Sequence, residues 1–119
     1  MSAVGETEGR IAIIGMAGRF PGAQDIATFW RNLCNGVESV TFFIDDQLED
    51  GADPSTRASA SYIKARPVLP DVDQFDAGFF DMRDREAALT DPQHRVFLEC
   101  AWEALEDAGY DSEIGRAHV

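Results

Sequence analysis

Apolar positions recur along this chain in two rhythms. Ile26, Phe29, Trp30 and Leu33 follow the i, i+3, i+4, i+7 spacing of one helical face. Asp25 precedes them as an N-cap and Asn35-Gly36 closes the segment, so a helix is predicted here. A longer helix is predicted after Thr90. Asp91 is placed to cap it, Pro92 falls at its first position where a missing N–H is harmless, and Gly109 stands where the chain turns left-handed. Glu99, Glu103, Glu106 and Asp107 share one face of it, which reads as solvated. Val96, Phe97, Cys100, Ala101, Ala104, Leu105 and Ala108 line the opposite side, flanked by Leu98 and Trp102. An apolar face this broad predicts packing against more than one neighbour, inside a sizeable fold.

The second rhythm is that of strands. Residues 10–15 are nearly all apolar and predict a short strand buried on both faces. Residues 37–43 form a second β-branched, extended stretch, and residues 61–65 a short paired one. Pro67 and Pro70 frame an extended turn. Periodicity vanishes over residues 47–61, which read as a surface loop. Phe75, Phe79 and Phe80, set among aspartates, are expected to fill the space beneath a loop. Residues 84–89 predict a short helix leading into the Thr90 corner, and residues 1–9 a flexible leader.

Composition narrows the function classes. The chain has 119 residues, enough for one domain at most, and alone would bury only about two-thirds of its unfolded surface. Its 22 acidic and 10 basic residues give a net charge of −12, which argues against nucleic acid and anionic membrane surfaces. Residues 1–9 lack the basic start and apolar core of a secretory signal, and no run approaches the ~20 apolar residues of a membrane span. Cys34 and Cys100 make no disulfide framework, so a cytoplasmic chain is expected.

Three candidate sites fail on spacing or surroundings. Gly15, Gly18 and Gly22 suggest a phosphate cradle, but match neither dinucleotide nor P-loop spacing; they read as a tight exit from the strand. Asp45 is a poor ribose ligand because its own setting reads as loop. Asp45, Asp46, Glu49, Asp50 and Asp53 lack the ordered ligand positions and closing Glu of a calcium loop. No nucleophile stands out either. Cys34 lies at a helix end, and Cys100 lies mid-helix between Glu99 and Glu103, which raise a thiol's pKa and leave it an apolar filler. His94, in the first turn of the long helix, suits packing or capping better than catalysis.

Certain of these segments carry a family resemblance. Asp91-Pro92-Gln93-His94-Arg95, followed by Trp102-Glu103-Ala104-Leu105-Glu106-Asp107-Ala108-Gly109, resembles the β-ketoacyl synthase domain of modular type I polyketide synthases. So do Ile11-Ala12-Ile13-Ile14-Gly15-Met16-Ala17-Gly18-Arg19-Phe20-Pro21-Gly22, Phe29-Trp30-Arg31-Asn32-Leu33 and Phe75-Asp76-Ala77-Gly78-Phe79-Phe80. The resemblance implies an α/β fold, here the N-terminal fragment of a thiolase-like (αβαβα layered) architecture over residues 10–111. It implies a decarboxylative Claisen condensation, in which a cysteine takes an acyl chain as thioester and two histidines assist decarboxylation of a malonyl-type extender. It implies as partners an acyl carrier protein and a second synthase subunit. It implies no directly bound cofactor, with phosphopantetheine arriving on the carrier protein. The family's nucleophile sits at a strand-to-helix elbow that no segment here matches, so no catalytic, cofactor-binding or metal residue is carried over.

Residues 112–119 depart from the family pattern. Glu113-Ile114-Gly115-Arg116-Ala117-His118-Val119 is what a short-read sequencing adapter yields when translated in one frame, so His118 is set aside with this tail. The rival to a condensing-domain fragment is a stand-alone acidic α/β interaction module without catalysis. The genomic continuation past Tyr110 separates them.

Overall fold

The computed structural model describes residues 9–48 and 51–111. The expected leader, apart from Gly9, the adapter-like tail, and Glu49 and Asp50 of the acidic loop lie outside the described residues. In chain order the elements are α1 (Ile26–Cys34), β1 (Val40–Phe42), a 3-10 turn (Asp45–Gln47), α2 (Pro54–Arg57), β2 (Ala65–Pro67), α3 (Asp84–Leu89) and α4 (Pro92–Ala108).

The helices form where local chemistry places them. Asp25 accepts from the Thr28 amide at 2.6 Å to open α1, and this bond holds its carboxyl below the usual range. Asn35 closes α1 and Gly36 turns left-handed at φ 64°. Asp91 accepts from the Gln93 amide at 2.8 Å with Pro92 at the first turn of α4, and Gly109 ends that helix at φ 76°.

The expected loop over residues 47–61 is corrected by α2, which repeats the same Asp-Pro opening on a smaller scale. Asp53 caps it through the Thr56 amide at 2.9 Å, and the Ser55 hydroxyl, with that amide after it, draws its carboxyl down to about 2. Four residues are too few to show periodicity, so only the cap and proline mark it. The strands shift as well. β1 and β2 pair antiparallel with Val40 opposite Pro67 and Phe42 opposite Ala65, so pairing begins where the expected 61–65 strand ends. Pro67 lacks a donor and sits at the ribbon's last register.

Residues 10–15 form no strand among the described residues. Ile11, Ile13 and Ile14 are 95%, 81% and 61% exposed, in place of burial on both faces. A two-sided buried strand exists only between hydrogen-bonded neighbours, and among the described residues no strand pairs with this one. Trp30 and Leu33 on α1 are likewise exposed, at 66% and 56%. The stripe splits: Phe29 stacks on Phe20 at 4.0 Å while its neighbours face outward. Buried apolar residues are confined to Ala23, Ala77 and Ala87 among the described residues. Phe97 of α4 is 69% exposed, so the broad apolar face expected of that helix is present but covered on one side only.

Candidate functional site

The best-organised locus is the seam between the loop of residues 15–22 and α4. Gly15 lies so close to the helix that a Cβ there would stand 2.5 Å from the Ala104 carbonyl oxygen and 2.8 Å from the Ala108 nitrogen. Only a residue without a side chain allows this approach. One residue on, the Met16 amide donates to Asp107 Oδ2 at 2.9 Å. Arg19 then donates through both terminal nitrogens to Glu103, at 2.6 and 2.5 Å, with Glu99 at 3.9 Å. The guanidinium holds the Glu103 carboxyl below its usual range; the carboxylate in turn pushes Arg19 further up.

These contacts correct the reading of α4's acidic face as merely solvated. Glu99 and Glu103 stand one turn apart around a single guanidinium, and Asp107 accepts from the loop's amide at Met16. Arg19 is the partner that sequence reasoning misses. A signal for it exists: a lone cation in a glycine loop, with two acids at i and i+4 on a helix elsewhere.

Two further devices fix α4. Phe79 meets Trp102 edge to face at 4.7 Å and Phe80 at 5.0 Å, while Phe80 stacks on Phe75 at 5.0 Å. Phe79, though 52% exposed, thus seats the 75–80 turn on the helix, each ring pair worth about 0.5–1.5 kcal/mol beyond burial. Arg95, from the corner motif, reaches back to the Ala87 carbonyl at 3.1 Å and the Val72 carbonyl at 3.0 Å. It ties the end of α3 and the preceding turn to the first turns of α4.

A cleft of about 600 Å³ opens between this loop, α1 and α4, lined by Met16, Ile26 and Trp30 with Asp25, Glu103 and Asp107. All three acids already serve the fold, as cap, guanidinium partner and amide acceptor. In the 45–53 region Asp45 pairs with Lys64 and Asp53 caps α2. No group of three or more potential metal ligands occurs among the described residues. Cys34 is exposed at the end of α1. Cys100 is half-buried on α4, its thiol pushed up by burial first and by Glu103 and Glu99 after, with Arg19 opposing. His94 is exposed, and its main-chain N–H donates to the Asp91 carbonyl at 2.9 Å within the cap. The described residues therefore bring together packing and charge pairs, with no nucleophile beside a base.

Comparison with known proteins decides what this assembly is. The family model for the Beta-ketoacyl synthase, N-terminal domain matches residues 8–118. This chain belongs to the β-ketoacyl synthase family. One component of the phenolphthiocerol/phthiocerol polyketide synthase of Mycobacterium tuberculosis is 50% identical over 105 residues, covering 87% of this chain and 7% of that protein. The polyketide synthase ThaG of Burkholderia thailandensis is 42% identical over 117 residues, covering 95% of this chain and 2% of its own length. Ketosynthase twelve from the bacillaene polyketide synthase of Bacillus amyloliquefaciens superimposes with a TM-score of 0.71 at 38% identity, over 83% of this chain and 18% of that one.

The fold is accordingly the N-terminal piece of the thiolase-like ketosynthase architecture, and the chain spans less than a fifth of that solved ketosynthase. The ketosynthase family is one of condensing enzymes. Among the described residues no helix is long and apolar enough to cross a membrane.

Proposed function

We propose that this chain supplies the N-terminal scaffold of a polyketide synthase condensing domain and carries none of its reacting groups. The complete domain takes an acyl chain from the phosphopantetheine thiol of an acyl carrier protein onto its own cysteine. It then joins that acyl group to the carbanion left when a malonyl-type extender loses carbon dioxide, and the cysteine thiolate departs. Such chemistry needs a thiolate of lowered pKa and an oxyanion site. Cys100 has the opposite environment, and Cys34 lies exposed at a helix end.

The observation that carries this reading is the apolar surface that the described residues leave open. Ile11, Ile13 and Ile14 of the extended segment, Trp30 of α1 and Phe97 of α4 together expose far more than isolated surface apolar residues do. A further sheet and helix layer of the same domain is what such surfaces fit. The partners that follow are the carrier protein and a second synthase subunit, reached through the complete domain.

The test compares acyl transfer from a loaded carrier protein to the 119-residue chain and to the domain encoded when the reading frame is continued past Tyr110. Intact mass is expected to show an acyl-thioester on the longer protein alone. Acylation of Cys34 or Cys100 faster than a free thiol reacts would sink the scaffold reading. A longer frame without an acylatable cysteine would favour the acidic interaction module.

A further inference from the structure

Asn32 and Asn35, the two asparagines of the chain, stand one turn apart in opposite surroundings. Asn32 is half-buried within α1, and its Nδ2 donates to the Gly22 carbonyl at 3.0 Å. Asn35 is exposed, already beyond the last helical residue at φ −90° and ψ 0°. Gly36 follows it at φ 64°, with nothing within 4 Å of where a Cβ would lie. Its nitrogen is held by a bond of 3.2 Å to the Leu33 carbonyl, the long end of the hydrogen-bond range, at a turn where helices fray.

We infer that Asn35 is a site of self-modification, at which the main-chain nitrogen of Gly36 displaces the side-chain amide. A bond forms between that nitrogen and Cγ of Asn35, the Cγ–Nδ2 bond breaks, and ammonia leaves with the proton lost by Gly36. The resulting five-membered succinimide is opened by solvent water at either carbonyl. The products are aspartate or isoaspartate at position 35, and nothing is oxidised or reduced. Glycine is decisive because the attacking nitrogen must swing towards Cγ, and a side chain on the next residue would obstruct that movement.

The product matters to the fold. A carboxylate at the C-terminus of α1 opposes the helix dipole. The isoaspartyl form also lengthens the main chain by one carbon just before Val37, whose N–H bonds the Asn32 carbonyl at 2.9 Å. The junction between α1 and β1 loosens as a result.

The experiment incubates the purified full chain in mildly alkaline buffer beside an unstructured synthetic peptide covering residues 30–40. Peptide fragmentation by mass spectrometry locates each amide converted to a carboxylate. Conversion at Asn35 is expected within about a hundredfold of the free peptide's rate, because terminal turns open at little free-energy cost, while Asn32 keeps its amide. The Asn35→Gln chain, which would need a larger ring, is expected to lose the conversion. Slower conversion than that, equal conversion at Asn32, or a mass gain persisting in Asn35→Gln would each overturn the assignment.

Discussion

The Arg19–Glu103 pair sets the sharpest energetic expectation. Replacing Arg19 by Met and Glu103 by Gln, singly and together, isolates the pair from its surroundings. Exposed pairs contribute about 0.2–1 kcal/mol, and removing one partner of a buried pair costs about 3–5 kcal/mol. Here the side chains are 25% and 40% exposed, and both guanidinium nitrogens bond one carboxylate. Solvent screening at Glu103 pulls the value down, and the bidentate geometry pulls it up, to a coupling of about 1 kcal/mol. Arg19→Met alone is expected to cost slightly more than Glu103→Gln. It leaves Glu99 and Glu103 repelling each other one turn apart, worth a few tenths of a kcal/mol.

The sign of the pH dependence follows from the depressed carboxyl. Glu103 has a folded pKa below its unfolded value, so its contribution is fully present above about pH 4.3 and is lost as pH falls through the folded value. Arg19 is shifted upwards from an already high value, so its charge is constant through that window. The measurement is a urea titration of a complete ketosynthase domain carrying this segment, at neutral pH and again near pH 3. A neutral-pH coupling below about 0.3 kcal/mol, within ordinary non-additivity, would refute the reasoning. So would a coupling that does not weaken on acidification.

Three further outcomes are expected. Gly15→Ala drives a Cβ against main-chain atoms of α4 and should destabilise by about 1–3 kcal/mol, with loss of exchange protection at the Met16 amide. In the 119-residue chain, Asp91→Ala should cost about 1 kcal/mol through the lost cap, and Trp30→Ala no more than about 0.5 kcal/mol because that side chain is exposed. In the complete domain the order should reverse, with Trp30→Ala reaching about 3–5 kcal/mol; an unchanged order there means that nothing covers α1. Resequencing the locus should replace the codons for residues 113–119, and genuine codons running through Val119 would remove the adapter reading.

What can be read from the sequence is chiefly what neighbours along the chain decide. Asp25, Asp91, Pro92 and Gly109 act within a turn of themselves, so their helices form where expected. The segment at residues 10–15 pairs with no described strand, and hydrophobicity alone does not reveal whether a partner is present. α2 is hidden by its brevity, although Asp53-Pro54 copies the opening of α4. The acids of α4 read as solvated because helical periodicity places residues on faces without saying what a distant loop brings to them. The upward push on the Cys100 thiol is legible only in part, because Glu99 and Glu103 are local whereas burial, its largest cause, and the opposing Arg19 come from elsewhere in the fold.

The seam between the glycine loop and α4 also bears on the order in which the molecule is made. Arg19 and Glu103 are separated by 84 residues, and closing a loop of that length costs about 4 kcal/mol in chain entropy. One ion pair worth about 1 kcal/mol cannot close it unaided. The loop of residues 15–19 must therefore wait for its partner until α4 has emerged and gathered its aromatic turn. Only then can Gly15, Met16 and Arg19 dock together, so a loop made before α4 is fixed after it.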